Sequence, residues 1–126
     1  MTADRGPVAQ FRIYRTLQGM IIWRLVASNN RVLGMSAATF SAMDGAVAAV
    51  RQIRREARLA LIELVHVPAP GQDWTWRMFD EGGELTALSP RSYKRRIDCH
   101  HALERFRMAA PEAVVDSAVG RRGRFW

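Results

Sequence analysis

Cysteine is nearly absent from this chain of 126 residues. Cys99 stands alone, which excludes an internal disulfide and leaves at most one thiolate for any metal. Lysine is as scarce, Lys94 being the single one among nineteen basic residues. No stretch of about 18 apolar residues occurs, so a membrane-spanning helix is not expected. Met1 to Gln10 contain no apolar segment behind a basic start, so no secretory signal is read and the expected location is the cytoplasm. Also missing are a glycine-rich phosphate loop, a zinc-protease motif and a nucleophile elbow. With those motifs absent the chain reads as non-enzymatic, with no catalytic residue, cofactor or metal site and no evident small-molecule substrate.

What is present is an ordinary globular composition, 48% hydrophobic and 25% charged, at a length suited to one compact domain. The net charge of +7 favours anionic partners, although an arginine-rich bias is also what a GC-rich genome writes at neutral positions. The charge is uneven. Residues 1–60 hold nine arginines against three acids, residues 61–116 hold seven basic against nine acidic residues, and the tail adds Arg121, Arg122 and Arg124.

Sliding the chain on itself by 53 places exposes an internal repeat. Trp23-Arg24 falls on Trp76-Arg77, Ser36 on Ser89, Ala49 on Ala102 and Arg54 on Arg107, while Leu25, Phe40, Val50 and Ile53 fall on Met78, Tyr93, Leu103 and Phe106. Upstream, Phe11-Arg12-Ile13-Tyr14 matches Ile62-Glu63-Leu64-Val65 once two extra residues are allowed in the loop at Pro68-Ala69-Pro70-Gly71, where insertion is cheap. The copies run over 11–58 and 62–109.

Each copy reads as three strands and a helix. Gln18-Gly19 separates two β-branched and aromatic runs, and Asn29-Asn30 supplies the left-handed backbone of the next turn, as Glu81-Gly82-Gly83 does in the second copy. Ser41 is expected to cap the first helix, with Asp44 returning a bond in a capping box. Met43, Val47, Val50 and Ala57 then share a helical face, as do Cys99, Ala102, Leu103, Phe106 and Ala110; such stripes are core rather than ligand contacts. Pro111 ends the second helix, a short strand is expected near 113–115, residues 1–10 are expected to be a flexible N-terminus, and residues 117–126 form a basic tail.

These residues resemble the YegP-like family, small domains of unknown function that often occur as tandem pairs. Trp76-Arg77-Met78, Ser89, Tyr93, Cys99, Ala102, Leu103 and Ala110-Pro111 carry the resemblance in the second copy. Phe11-Arg12-Ile13-Tyr14, Trp23-Arg24-Leu25, Ala27-Ser28-Asn29, Ser36 and Phe40 carry it in the first. The resemblance implies an α+β fold in which two tandem β-β-β-α repeats form one antiparallel sheet with two helices on one face. It implies no reaction.

Four features could carry function. Arg51, Arg54, Arg55 and Arg58, at i, i+3, i+4 and i+7, form a stripe along which a phosphate backbone could lie, or which complements a helix C-terminus. Arg121, Arg122 and Arg124, with Phe125 and Trp126, could contact phosphates and stack on bases, or do nothing. The Trp-Arg pairs are either core tryptophans with solvated arginines or an outward stacking platform, and burial of the rings is favoured. Cys99-His100-His101, with His66, could suggest a metal site or a thiol nucleophile, but adjacent helical positions are expected to point apart, and a core cysteine beside surface histidines is favoured. The expected function is a small binding module that contacts nucleic acid with little sequence specificity. The alternative is a protein-interaction or structural unit acting through sheet edges or self-association.

Overall fold

The computed structural model describes residues 8–68, 71 and 73–116. The elements follow the order β1 (Gln10–Arg15), β2 (Ile21–Val26), β3 (Val32–Ser36), α1 (Met43–Glu56), β4 (Leu61–His66), β5 (Trp74–Phe79), β6 (Leu85–Leu88), α2 (Arg96–Ala109), a 3-10 turn (Ala110–Glu112) and β7 (Val114–Asp116). All strands join one seven-stranded sheet in the order β4-β5-β6-β3-β2-β1-β7.

The sheet is mixed rather than wholly antiparallel, which corrects the expectation. β7 pairs parallel to β1, with Gln10 opposite Val114 and Arg12 opposite Asp116. The chain leaving α2 turns through Pro111 and reaches the sheet beside the start of β1, where Val114 N donates to Ala9 O at 3.0 Å, so the two strands set out from the same end.

The same connections recur 53 residues apart. Ala27 N donates to Arg31 O, and Asn30 N to Ala27 O, around the β2–β3 turn; Asp80 N to Glu84 O, and Gly83 N to Asp80 O, do the same for β5–β6. The left-handed position is Asn30 (φ 70°) in one turn and Gly83 (φ 85°) in the other, the two residue types that adopt it at least cost. Trp23 N donates to Ser36 Oγ at 3.3 Å and Trp76 N to Ser89 Oγ at 3.2 Å. Phe40 is bridged to Ile21, as Tyr93 is to Trp74. Phe11 faces Leu25 and Ile13 faces Trp23, while Ile62 faces Met78 and Leu64 faces Trp76, which is the two-residue offset read from the sequence.

Ser41 is not the cap of α1. Phe40 is tied into the sheet by two hydrogen bonds of 2.8 Å to Ile21, the chain turns after it, and Ala42 takes the N-cap position with no side-chain cap. Asp44 remains in the first turn, where a carboxylate is favoured by the helix dipole. The helices cover the face carrying Phe11, Ile13, Ile21, Trp23, Leu25, Trp76 and Met78. Ala46, Val50 and Ile53 of α1, and Cys99, Ala102, Leu103 and Phe106 of α2, are the residues they bury. Burial of each large apolar side chain contributes roughly 1.5–3 kcal/mol. Phe106 links the two core tryptophans, stacking at 6.3 Å on Trp23 and lying 5.0 Å from Trp76. Among the described residues no helix is long and apolar enough to cross a membrane.

Candidate functional site

Helix α1 buries one side and turns the other outward, so its sequence sorts itself by position. Ala46, Val50 and Ile53 face the sheet, which leaves Arg51, Arg54 and Arg55 exposed. At about 1.5 Å of rise per residue, Arg51 and Arg55 lie roughly 6 Å apart along the axis, and Arg54 falls beside both. Their one acidic neighbour on the helix, Glu56, accepts a hydrogen bond from Gln52 Nε2 at 3.3 Å. None of the three guanidinium groups forms an ion pair with a described residue.

Arg58 is placed differently from its three companions. It lies past the end of α1, its backbone carbonyl accepts a hydrogen bond from Arg107 Nη2, and its own Nη2 stands 4.0 Å from Glu112 Oε2. Arg58 therefore ties the end of α1 to the segment that follows α2. The other three remain available to an external anion. Arg121, Arg122 and Arg124 lie outside the described residues.

The second helix carries no comparable face. The positions 53 residues after Arg51, Arg54, Arg55 and Arg58 are Glu104, Arg107, Met108 and Pro111, and Arg107 is paired with Glu104 at 3.4 Å. At the start of α2, Arg95 and Asp98 pair at 2.9 Å, and that hydrogen bond holds the Asp98 carboxyl below the usual carboxylate range.

Both tryptophans of the Trp-Arg pairs are fully buried, so they form no stacking platform. Their arginines face outward with different partners. Arg77 lies 3.6 Å from Glu63 across the β4–β5 pair, whereas Arg24 stands opposite Arg12 and over the Tyr14 ring at 5.2 Å. Burial raises the Tyr14 hydroxyl above its ordinary pKa, against the opposing effect of Arg24.

Cys99, His100, His101 and His66 are not gathered into one site. Cys99 is buried in the core, which pushes its thiol up to about 11. His100 Nε2 faces Glu104 Oε2 at 3.9 Å, and His66 stacks on Trp74 at 4.5 Å on the β4–β5 pair. Among the described residues no group of three or more His, Cys, Asp or Glu could hold a metal. One cluster escaped the sequence reading: Arg31, Arg91 and Arg105 line a single cleft beside Tyr93. They are 14 to 74 residues apart in the chain, and no local spacing links them.

Two solved structures share the architecture. One is the solution structure of a protein of unknown function, yegP, from E. coli, with a TM-score of 0.72 over 89% of this chain and 94% of that one. The other is a UPF0339 protein from Shewanella oneidensis, with a TM-score of 0.75 over 92% of this chain and 95% of that one. The fold is YegP-like. Identities of 10% and 9% confine the likeness to the fold, and neither neighbour brings a ligand or a reaction with it. No family model matches the sequence, and no curated relative does. Within the YegP-like scaffold the basic face of α1 is a property of this chain's own residues, and its chemistry has to be argued from them.

Proposed function

We propose that this protein is a non-enzymatic binding module that contacts the phosphate backbone of nucleic acid through Arg51, Arg54 and Arg55, with little sequence specificity. The observation that carries this reading is the triplet of exposed guanidinium groups with no acidic partner among the described residues. Such a face attracts a polyanion, and guanidinium groups match phosphate oxygens in bidentate geometry. It offers no aromatic ring for bases, so the contact is with phosphate rather than sequence. The tail arginines Arg121, Arg122 and Arg124 belong to the same proposal as further cationic contacts.

We also infer that the chain is two copies of one β-β-β-α unit, supported by the turns, serine hydrogen bonds and bridges that recur 53 residues apart. Duplication explains how one helix can specialise. The core requires only the inward face of each, so the outward face of α1 is free to carry Arg51 and Arg55 where α2 has Glu104 and Met108.

The edge strand β4 favours a second reading. It spans six residues, pairs only through β5 and exposes Leu61 at 68%, which makes it a template for strand addition by another chain. Fluorescence anisotropy of labelled single- and double-stranded DNA and RNA separates the two. Binding that weakens steeply with salt supports the polyanion reading; absence of binding at low salt, with a mass that grows with concentration, supports edge pairing.

A further inference from the structure

The β3–β6 ladder is short. Met35 pairs with Leu88 and Ser36 with Ala87; at the next opposition, Gly34 against Ser89, the Ser89 N–H is given to Trp76 O, and one step beyond Leu33 would face Pro90, which has no N–H to give. The two chains part there. The opening is a cleft of about 290 Å³, walled by Val32 and Leu33 on one side, Pro90, Arg91 and Tyr93 on the other, and Ala102 and Arg105 of α2. That volume is near the lower limit of the roughly 300–1,000 Å³ typical of small-molecule sites.

Three guanidinium groups line this cleft and no carboxylate does. Arg31 comes from the β2–β3 turn, Arg91 from the loop after β6, and Arg105 from α2. None has an ion-pair partner among the described residues. Of the two acids on α2, Glu104 pairs with Arg107 and His100, and Asp98 pairs with Arg95 while also feeling the charge of Arg105. Tyr93 is fixed between them: its backbone exchanges hydrogen bonds of 2.6 and 2.8 Å with Trp74, and Arg91 stands over its ring at 5.1 Å. Arg91, Arg105 and Arg31 all act to lower the pKa of the Tyr93 hydroxyl, although burial outweighs them and the pKa stays raised. Three like charges around one ring repel one another, and an anion seated among them relieves that repulsion.

The scaffold does not demand these arginines. The positions displaced by 53 residues from Arg31, Arg91 and Arg105 are Glu84, Ala38 and Gln52, which cannot form the same cluster. The repeat spacing therefore does not account for their convergence beside Tyr93.

We propose that the cleft between Arg31, Arg91 and Arg105 is a binding site for a small phosphate monoester, its dianionic head held by the guanidinium groups and its organic part lying on Tyr93, Val32 and Leu33. This site is separate from the outward face of α1. A dianion suits three cations better than the single charge of a backbone diester, and the apolar walls suit an organic group better than free phosphate.

The test is a ¹H–¹⁵N correlation titration of the full chain with phenyl phosphate, alongside phenol and a ten-residue oligothymidine lacking terminal phosphates. Phenyl phosphate should shift the Arg31, Arg91, Tyr93 and Arg105 amides saturably, and phenol should leave them in place. Arg31→Gln and Arg105→Gln, both at exposed positions, should each weaken binding at least about tenfold, since a charge-assisted hydrogen bond is lost. Arg15→Gln, an exposed position outside both proposed sites, should leave the affinity unchanged. The assignment is overturned by no saturable shift at millimolar phenyl phosphate, by equal affinity in the Arg31 and Arg105 variants, or by oligothymidine occupying the same residues as tightly.

Discussion

Gly34 lies beneath the Phe106 ring so closely that a Cβ at residue 34 would overlap Cδ1 and Cε1 of that ring, and would stand 3.1 Å from Trp76 Cη2. The constraint is steric, because Gly34 is not among the residues of positive φ. Phe106 is the side chain that touches both core tryptophans, so the missing Cβ on β3 is what lets α2 approach the sheet. Gly34→Ala should destabilise the fold by about 1–3 kcal/mol, the cost of overpacking a filled core. Chemical denaturation of Gly34→Ala, Phe106→Leu and the double variant checks this: the double variant should be less damaged than the sum of the singles, because the smaller side chain frees the space.

The two serine contacts give a second expectation. Ser36 is buried, and its Oγ accepts from Trp23 N. Ser36→Ala leaves that buried N–H without an acceptor and should cost about 1–3 kcal/mol. Ser89, which accepts from Trp76 N, is only half-buried, so Ser89→Ala should cost less as water supplies part of the lost bond. Urea unfolding midpoints of the two variants measure the order.

Cys99 links the core to pH. Burial raises its folded pKa from the ordinary 9.0 to about 11. Between those values the unfolded chain loses the thiol proton and the folded chain keeps it, so stability is fully present below pH 9.0 and falls as pH rises toward 11. Cys99→Ala should lose less stability over that window than the natural chain, measured by thermal unfolding at a series of pH values. Alkylation of Cys99 in the native protein should be slower than in the unfolded chain by more than roughly 100-fold, because it requires opening of the core.

Much of the scaffold was legible because it depends on local and periodic signals. The turns at Asn30 and Gly83, the inward stripes of both helices and the registers of Phe11 and Ile62 all follow from residue type and spacing. The parallel entry of β7 was not legible, since it depends on where α2 ends in space. Ser41 misled for a similar reason: its sequence suits a cap, but the Phe40–Ile21 bridge sets where the helix begins. The outward arginines of α1 could be read from their i, i+3, i+4 spacing, whereas Arg58 is drawn off by Glu112 of the turn that follows α2. The cleft at Arg31, Arg91 and Arg105 left no trace in the sequence, because only the β3–β6 pairing together with the packing of α2 brings those residues to one place. Gly34 was silent too, as its role exists only against Phe106.

The most direct test of the binding proposal compares the natural chain with a variant carrying Arg51→Gln, Arg54→Gln and Arg55→Gln, by fluorescence anisotropy on duplex DNA across a salt series. Exposed positions make the variant's thermal midpoint a control that should not move. Each phosphate contact contributes a slope of about −0.9 in log affinity against log salt, so the variant should bind more weakly and lose about two to three slope units. An unchanged affinity and slope in the variant would contradict the assignment of α1 as the contact face.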